Sequence, residues 1–262
     1  MHRRLDVPRL IRGDTLKADP AAQLTLLDLQ VLDSRADLLR YQRGTLPEHD
    51  DLAALTMTRR DLDDQARDAR ILVDDLTAEQ TKVDADVEQV KTRRDRDRTR
   101  MDQGLVSNPK DLERMQHEME SLERRITSLE DEELEVMARL EDAQRSLDEL
   151  TAQLADADAR NAKVEEARDA RYAEIDAELT RLAEQRGPVA AGVPDDLTAL
   201  YDRLRASKNG VGAAALRARQ CTGCMIGLDN AELGKLRAAA EDEVLRCEEC
   251  QRILVRTEES GL

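Results

Sequence analysis

The chain has no phenylalanine, no tryptophan and only three tyrosines (Tyr41, Tyr172, Tyr201) in 262 residues. Aromatic rings supply much of the buried surface in compact cores, so their shortage argues against a globular core for most of this length. No run of about 18 apolar residues occurs, which excludes an ordinary membrane-spanning helix. Arg3, Arg4 and Arg9 near the start are followed by no apolar stretch, so no secretory signal is expected and a cytoplasmic location is. Catalytic signatures are missing as well. There is no glycine-rich phosphate loop and no recognisable nucleophile–base set, and His2, His49 and His117 are scattered without ligand spacing. The expectation is a protein that is not an enzyme.

What the chain has in abundance is charge. Asp, Glu, Lys and Arg make up 37% of it, with a formal net charge of −16, which repels phosphate backbones unless positive charge is gathered locally. A composition rich in Ala, Leu, Asp, Glu and Arg reads as long helix or coiled coil where the apolar residues keep a helical period. They do. Asp19-Pro20 opens a first helix, in which Leu24, Leu27, Val31, Ser34, Leu38 and Tyr41 alternate steps of three and four. Gly44 and Pro47 interrupt it. The rhythm resumes from Leu52 to Val90, broken only at Arg59 and Gln80, and this is the pattern of a coiled-coil seam.

Residues 103–111 read as a turn, with Gly104 free to take a positive φ, Asn108 placed to cap the next helix and Pro109 at its first position. A return stripe runs from Leu112 to Val164. Two successive steps of four, through Arg168 to Tyr172, then shift its register as a stutter before Ile175, Leu179 and Leu182. At 1.5 Å per residue, a helix over 110–185 is about 115 Å long and one over 50–101 about 78 Å. The surplus matches helix 21–42, so a base of three strands is expected; an intermolecular coiled coil is the alternative.

The predicted fold is mainly α: a long antiparallel coiled-coil helical hairpin over 20–186, with its tip near 102–110, an extra short N-terminal helix and, where two C-x-x-C pairs gather all four cysteines of the chain, a small C-terminal zinc ribbon. Gly187-Pro188 and Gly192-Val193-Pro194 end the coil, a linker with a short helix from Asp196 to Ser207 fills 187–212, and the ribbon occupies 213–262. Residues 1–19 carry no sustained pattern and are expected to be disordered; a native start nearer Leu16 is the alternative.

All four cysteines lie in the ribbon, as Cys221-Thr-Gly-Cys224 and Cys247-Glu-Glu-Cys250. Two C-x-x-C pairs at this separation can turn four thiolates onto one Zn²⁺, and a closed sulfur cage leaves no open position for catalysis. Gly223 and Gly227 free the first loop to turn tightly. Disulfides are disfavoured in a reducing cytosol, a redox pair would need a βαβ context absent here, and iron is the minor alternative metal. With no apolar side chain at this end larger than Leu or Met, one structural zinc is expected to supply its stability.

Beyond the cysteines, a set of short motifs spans nearly the whole chain after residue 17. They are Ala18-Asp-Pro-Ala-Ala-Gln23, Asn108-Pro-Lys-Asp-Leu112, Met115-Gln-His-Glu118, Leu197 through Tyr201-Asp-Arg-Leu204, Cys221-x-Gly-Cys224 and Cys247-Glu-Glu-Cys250-Gln-Arg-Ile-Leu254. In these the chain resembles a bacterial family of coiled-coil proteins ending in a C4-type zinc ribbon, which includes an epsilonproteobacterial flagellar chaperone and a chlamydial relative. The resemblance implies that the four cysteines are the zinc ligands and that a strand near 211–219 pairs within the ribbon. Family members have been linked to sigma-factor binding, export-apparatus contacts and RNA binding, and the family is often labelled predicted nucleic-acid binding.

Two further features are candidates for partner binding. Lys91, Arg93, Arg94, Arg96, Arg98 and Arg100 form a basic cluster diluted by Asp95 and Asp97, suited to an acidic protein face or a phosphate backbone if not spent on intrahelical ion pairs. Leu105 and Val106 are an apolar pair at the hairpin end with little to pack against. The ribbon is a poor nucleic-acid surface: from Ala213 onward seven Arg or Lys face nine Asp or Glu, and no aromatic residue offers stacking. The leading expectation is a cytoplasmic adaptor or chaperone-like scaffold that binds protein partners through tip and ribbon, as monomer or dimer. The alternative is a nucleic-acid-binding (RNA or DNA) regulator.

Overall fold

The computed structural model describes residues 16–262. In chain order the elements are α1 (Pro20–Gly44), α2 (Pro47–Asp102), α3 (Pro109–Ala191), α4 (Asp195–Ser207), β1 (Ala213–Arg217), β2 (Gln220–Cys221), α5 (Asn230–Ala238) and β3 (Ile253–Arg256). They divide into two compact units. One is 47–167; the other joins the residues before it to 168–262. The boundary on α3 falls at the stutter through Arg168.

In the 47–167 unit, α2 and the first part of α3 form the hairpin. Ala66, Leu76, Val83 and Val87 of α2 are buried, as are Leu122, Ile126, Leu129, Val136, Ala143 and Ala157 of α3, all on the stripes read from sequence. Cross-helix ion pairs fix the direction: Arg59–Asp158, Glu79–Arg139, Lys91–Glu130 and Arg94–Glu123 rise along one helix while falling along the other. Such exposed pairs contribute at most about 1 kcal/mol each, so the apolar seam sets the register. At the turn Gly104 takes φ +64° and the Leu105 amide bonds the Arg100 carbonyl, closing α2. Asn108 then accepts from the Lys110 amide at 3.1 Å, capping α3.

The other unit gathers α1, the last part of α3, α4 and the cysteine-bearing end. Asp19 caps α1 by accepting from the Ala21 amide at 2.8 Å. The stripe expected to be the seam of α1 is instead its outer face: Leu24, Val31, Ser34, Leu38 and Tyr41 are exposed, and Ala22, Leu26, Leu29, Asp33, Ala36 and Leu39 are buried. Helix α1 carries two heptad stripes, and the inner one contains the polar Gln23, Gln30 and Asp33, so its period is masked in hydropathy. Against this inner stripe pack Ile175, Leu179 and Leu182 of α3, in the region where surplus length was expected. The third helix meeting α1 and α3 there is α4, at a buried polar junction. Asp33 accepts from the Arg186 Nε at 2.7 Å and from the Tyr201 hydroxyl at 2.8 Å, and the Arg205 Nε lies 3.7 Å away.

Two boundaries differ from expectation. Helix α3 runs through Gly187-Pro188 to Ala191: Pro188 removes one backbone bond near the helix end, and Val189 and Ala190 hold the last turn by packing against the core cluster that includes Leu26, Leu29 and Leu197. Residues 1–15 of the segment expected to be disordered lie outside the described residues, whereas Leu16 to Asp19 are fixed. The Ala18 amide bonds the Asp242 carbonyl at 2.8 Å, the Val244 amide bonds the Leu16 carbonyl at 2.9 Å, and Ala18 is buried.

The sheet order is β2-β1-β3, with β1 antiparallel to β2 and parallel to β3. Strand alternation gives it two apolar faces. Ala213, Ile253 and Val255 join Leu26, Leu29, Leu197 and Tyr201 on the helix side; Ala214, Leu216 and Leu254 face the cysteines. Gly212 enters the sheet so close to α4 that a Cβ there would sit 2.6 Å from the Tyr201 carbonyl oxygen and 2.8 Å from its ring. Gly212→Ala is therefore expected to destabilise this unit by about 2–3 kcal/mol, read as a lower denaturation midpoint with zinc content unchanged.

Candidate metal centre

The two C-x-x-C segments fold alike. In each, the amide four residues after the first cysteine donates to that cysteine's carbonyl (Met225 to Cys221, 2.8 Å; Gln251 to Cys247, 2.9 Å). The amide of the first cysteine donates to the carbonyl five residues on (Cys221 to Ile226, 3.1 Å; Cys247 to Arg252, 3.0 Å). Closing the turn drives Met225 and Gln251 into the left-handed region, at φ +59° and +63°. Each turn thereby aims its own amides at sulfur: Gly223 and Cys224 toward Cys221, Glu249 and Cys250 toward Cys247.

The four Sγ atoms lie within 4.8 Å of one another. Cys221 and Cys250 are separated by 3.9 Å, Cys224 and Cys247 by 3.8 Å. A tetrahedron of thiolates at 2.3 Å from a central ion has edges of about 3.8 Å, so the spacing fits Zn²⁺. No disulfide joins them. Burial pushes the Cys221 thiol up to about 12 and raises Cys247 too. At Cys250 burial acts upward, but the amide and guanidinium of Arg252, with the neighbouring thiols, outweigh it and bring the thiol to about 7. The raised Cys221 and Cys247 thiols keep their protons until a cation replaces them, and that exchange couples metal binding to folding. With all four positions taken by protein sulfur, this is the site of one structural zinc.

Sequence reading missed the residue that ties the two turns together. The Arg252 guanidinium donates to the carbonyls of Val211, Gly223 and Lys208 at 2.9, 3.1 and 3.0 Å, besides reaching Cys250. Its stem explains Gly223, where a Cβ would lie 2.9 Å from both the Arg252 Cδ and the Ala214 Cβ. Gly227 meets no such constraint. Helix α5, also unforeseen, begins at a reciprocal cap between Asp229 and Glu232. The four ligands were legible; this scaffold was not.

The candidate partner-binding residues lie elsewhere, on the hairpin. Arg93 pairs with Glu118 at 2.5 Å, Arg94 with Asp95 at 2.8 Å, and Arg96 and Arg100 approach the buried Asp97 at 3.7 and 3.9 Å. Arg98 has no ion pair among the described residues. Carboxylates are thus interleaved with the cluster. Leu105 is 66% exposed, and Val106 beside it is half-buried. No helix among the described residues is long and apolar enough to cross a membrane.

A long helical hairpin with a closed four-thiolate ribbon defines a scaffold-like protein with a structural metal. The chain matches the family model of the CT398-like coiled coil hairpin domain over residues 29–209 and that of the C4-type zinc ribbon domain over 220–254, and it belongs to this family. It is 35% identical to the Mycobacterium tuberculosis protein Rv2229c over 93% of this chain and 98% of that one. Identity to ML1638 of Mycobacterium leprae is 27%, over 82% of this chain and 92% of the relative. A solved structure from Mycobacterium smegmatis is similar with a TM-score of 0.81 and 33% identity, covering 92% of this chain and all of that one. CT398 from Chlamydia trachomatis shares the fold at 19% identity and a TM-score of 0.66, over 90% of this chain and 98% of that one.

Proposed function

We propose that the chain is a non-enzymatic cytoplasmic adaptor of chaperone-like type, which binds protein partners through the hairpin tip and the zinc ribbon. The observation that carries this reading is apolar display on tight turns. Leu105 projects from the tip, and Met225 and Ile226 are exposed on the first cysteine turn, Met225 in a backbone conformation that costs a side chain about 1 kcal/mol. Exposed apolar groups with little of their own fold to pack against are a surface that a partner can cover. A closed zinc cage suits the same role, since it fixes a surface without offering chemistry.

Cellular crosslinking with mass spectrometry tests it. Leu105→Asp with Val106→Asp, and separately Ile226→Asp, are each expected to lower recovery of the partners crosslinked at that end about tenfold or more while zinc content stays unchanged. An identical partner set from wild type and both variants overturns the reading. The alternative, an RNA- or DNA-binding regulator, draws support from Arg98 within the basic cluster. It predicts recovery of nucleic acid that falls steeply with salt and is lost when Arg93, Arg94, Arg96 and Arg98 become Ala.

A further inference from the structure

Of the three tyrosines in this chain, Tyr201 is wholly buried, Tyr172 stacks under the Arg43 guanidinium, and Tyr41 stands 68% exposed. Tyr41 is not isolated. It ends the outer stripe of α1, formed with Leu24, Leu27, Val31, Ser34 and Leu38, in which Val31 is also 68% exposed and Leu27 is half-buried at the edge of the core that holds Leu26 and Leu29. At 100° per residue this stripe lies nearly opposite the buried one, and it keeps a strict heptad spacing: 24, 31, 38 and 27, 34, 41. A helix that already buries one face in its own fold therefore carries a second coiled-coil seam.

Charge beside the seam says what covers it. Asp28 and Arg35 flank the stripe on one edge, seven residues apart, and neither has an ion pair among the described residues. Two turns apart on one helix, they are too distant to pair with each other. An identical helix laid antiparallel across the seam brings Asp28 opposite Arg35 of the second copy and Arg35 opposite Asp28, so both charges are matched at once. The same register sets Leu24 against Tyr41, Leu27 against Leu38 and Val31 against Ser34, each layer occurring twice, as a two-fold interface requires. We propose that the outer face of α1 is a homodimer interface, in which two copies of this chain pair their α1 helices antiparallel through this seam. The contact is about 25 Å long, below the usual size of obligate interfaces, so the dimer forms reversibly and depends on concentration.

Sedimentation velocity of the full-length, zinc-loaded protein across a concentration series at low salt tests this. Wild type is expected to shift from monomer to dimer. Val31→Glu with Leu38→Glu, at two exposed positions, should leave zinc content and helicity intact and abolish the dimer, because four carboxylates then enter one seam. Asp28→Arg should weaken the dimer about tenfold at low salt by opposing like charges twice, and less at high salt. Adding Arg35→Asp to it should restore association, a recovery that a general loss of folding cannot produce. A protein monomeric at every concentration, a dimer indifferent to Val31→Glu with Leu38→Glu, or a double charge reversal that fails to recover overturns the proposal.

Discussion

Replacing Cys247 with serine should strip the protein of its zinc and loosen only one side of the sheet. A serine hydroxyl does not ionise near neutral pH, so three thiolates remain and the closed cage is lost. Structural zinc contributes on the order of 10–16 kcal/mol apparent in small peptides at neutral pH, which makes this the largest single effect expected of any substitution here. Its reach is limited by the two faces of the sheet. Leu216, Leu236 and Leu254 pack around Cys221 and Cys247, and that cluster loses its organiser. Ala213, Ile253 and Val255 pack against Leu26, Leu197 and Tyr201, and that cluster does not touch the metal. Hydrogen exchange should accelerate more than a hundredfold at the Met225 and Gln251 amides, while α1, α4 and the α2–α3 seam keep their protection. Zinc retained at wild-type stoichiometry, or unchanged exchange at both turns, would be fatal to the assignment. Metal is therefore not the sole source of order at this end, because α1 and α4 lend apolar surface to the sheet.

Helices α2 and α3 were legible because the buried contact between them is an apolar seam, so period and structure coincide from Leu52 to Val164. The cysteines were legible because tetrahedral chemistry constrains their spacing. Helix α1 was misread for the opposite reason. Its buried face includes Gln30, whose side chain donates to the Gly210 carbonyl and accepts from the Gly212 amide at 2.8 and 2.7 Å, and Asp33, whose partners lie on α3 and α4. Hydrophobicity marks burial only where burial is apolar; polar residues satisfied by distant chain look like surface. Arg252 was invisible on the same ground, since its three carbonyl acceptors are set by the fold.

Asp33→Ala should cost about 3–5 kcal/mol of stability at neutral pH, because it leaves Arg186, Arg205 and the Tyr201 hydroxyl facing an empty place. The Asp33 carboxylate is nearly inaccessible, and the Arg205 Nε has no hydrogen-bond partner, only the 3.7 Å attraction to Asp33. Burial alone raises the carboxyl, but hydrogen bonds from Arg186 and Tyr201 and the charges of Arg186 and Arg205 outweigh it and hold Asp33 below 3.8. The folded state therefore binds its proton more weakly than the unfolded chain does. The stabilisation is fully present above the unfolded value near 3.8 and is lost as pH falls through the lower folded value. Wild type and Asp33→Ala should thus differ most at neutral pH, and the gap should narrow as pH falls below about 4. Acid also protonates the thiolates and releases zinc, but it does so in both proteins, and the difference between their denaturation midpoints isolates the carboxylate. Tyr201→Phe removes one hydrogen bond to a charged acceptor and should cost about 1.5–3 kcal/mol with the same pH dependence in smaller measure. A gap between wild type and Asp33→Ala that stays constant from pH 7 to pH 3 would mean that the packing of this junction, rather than its charge, locks α1 to α3 and α4.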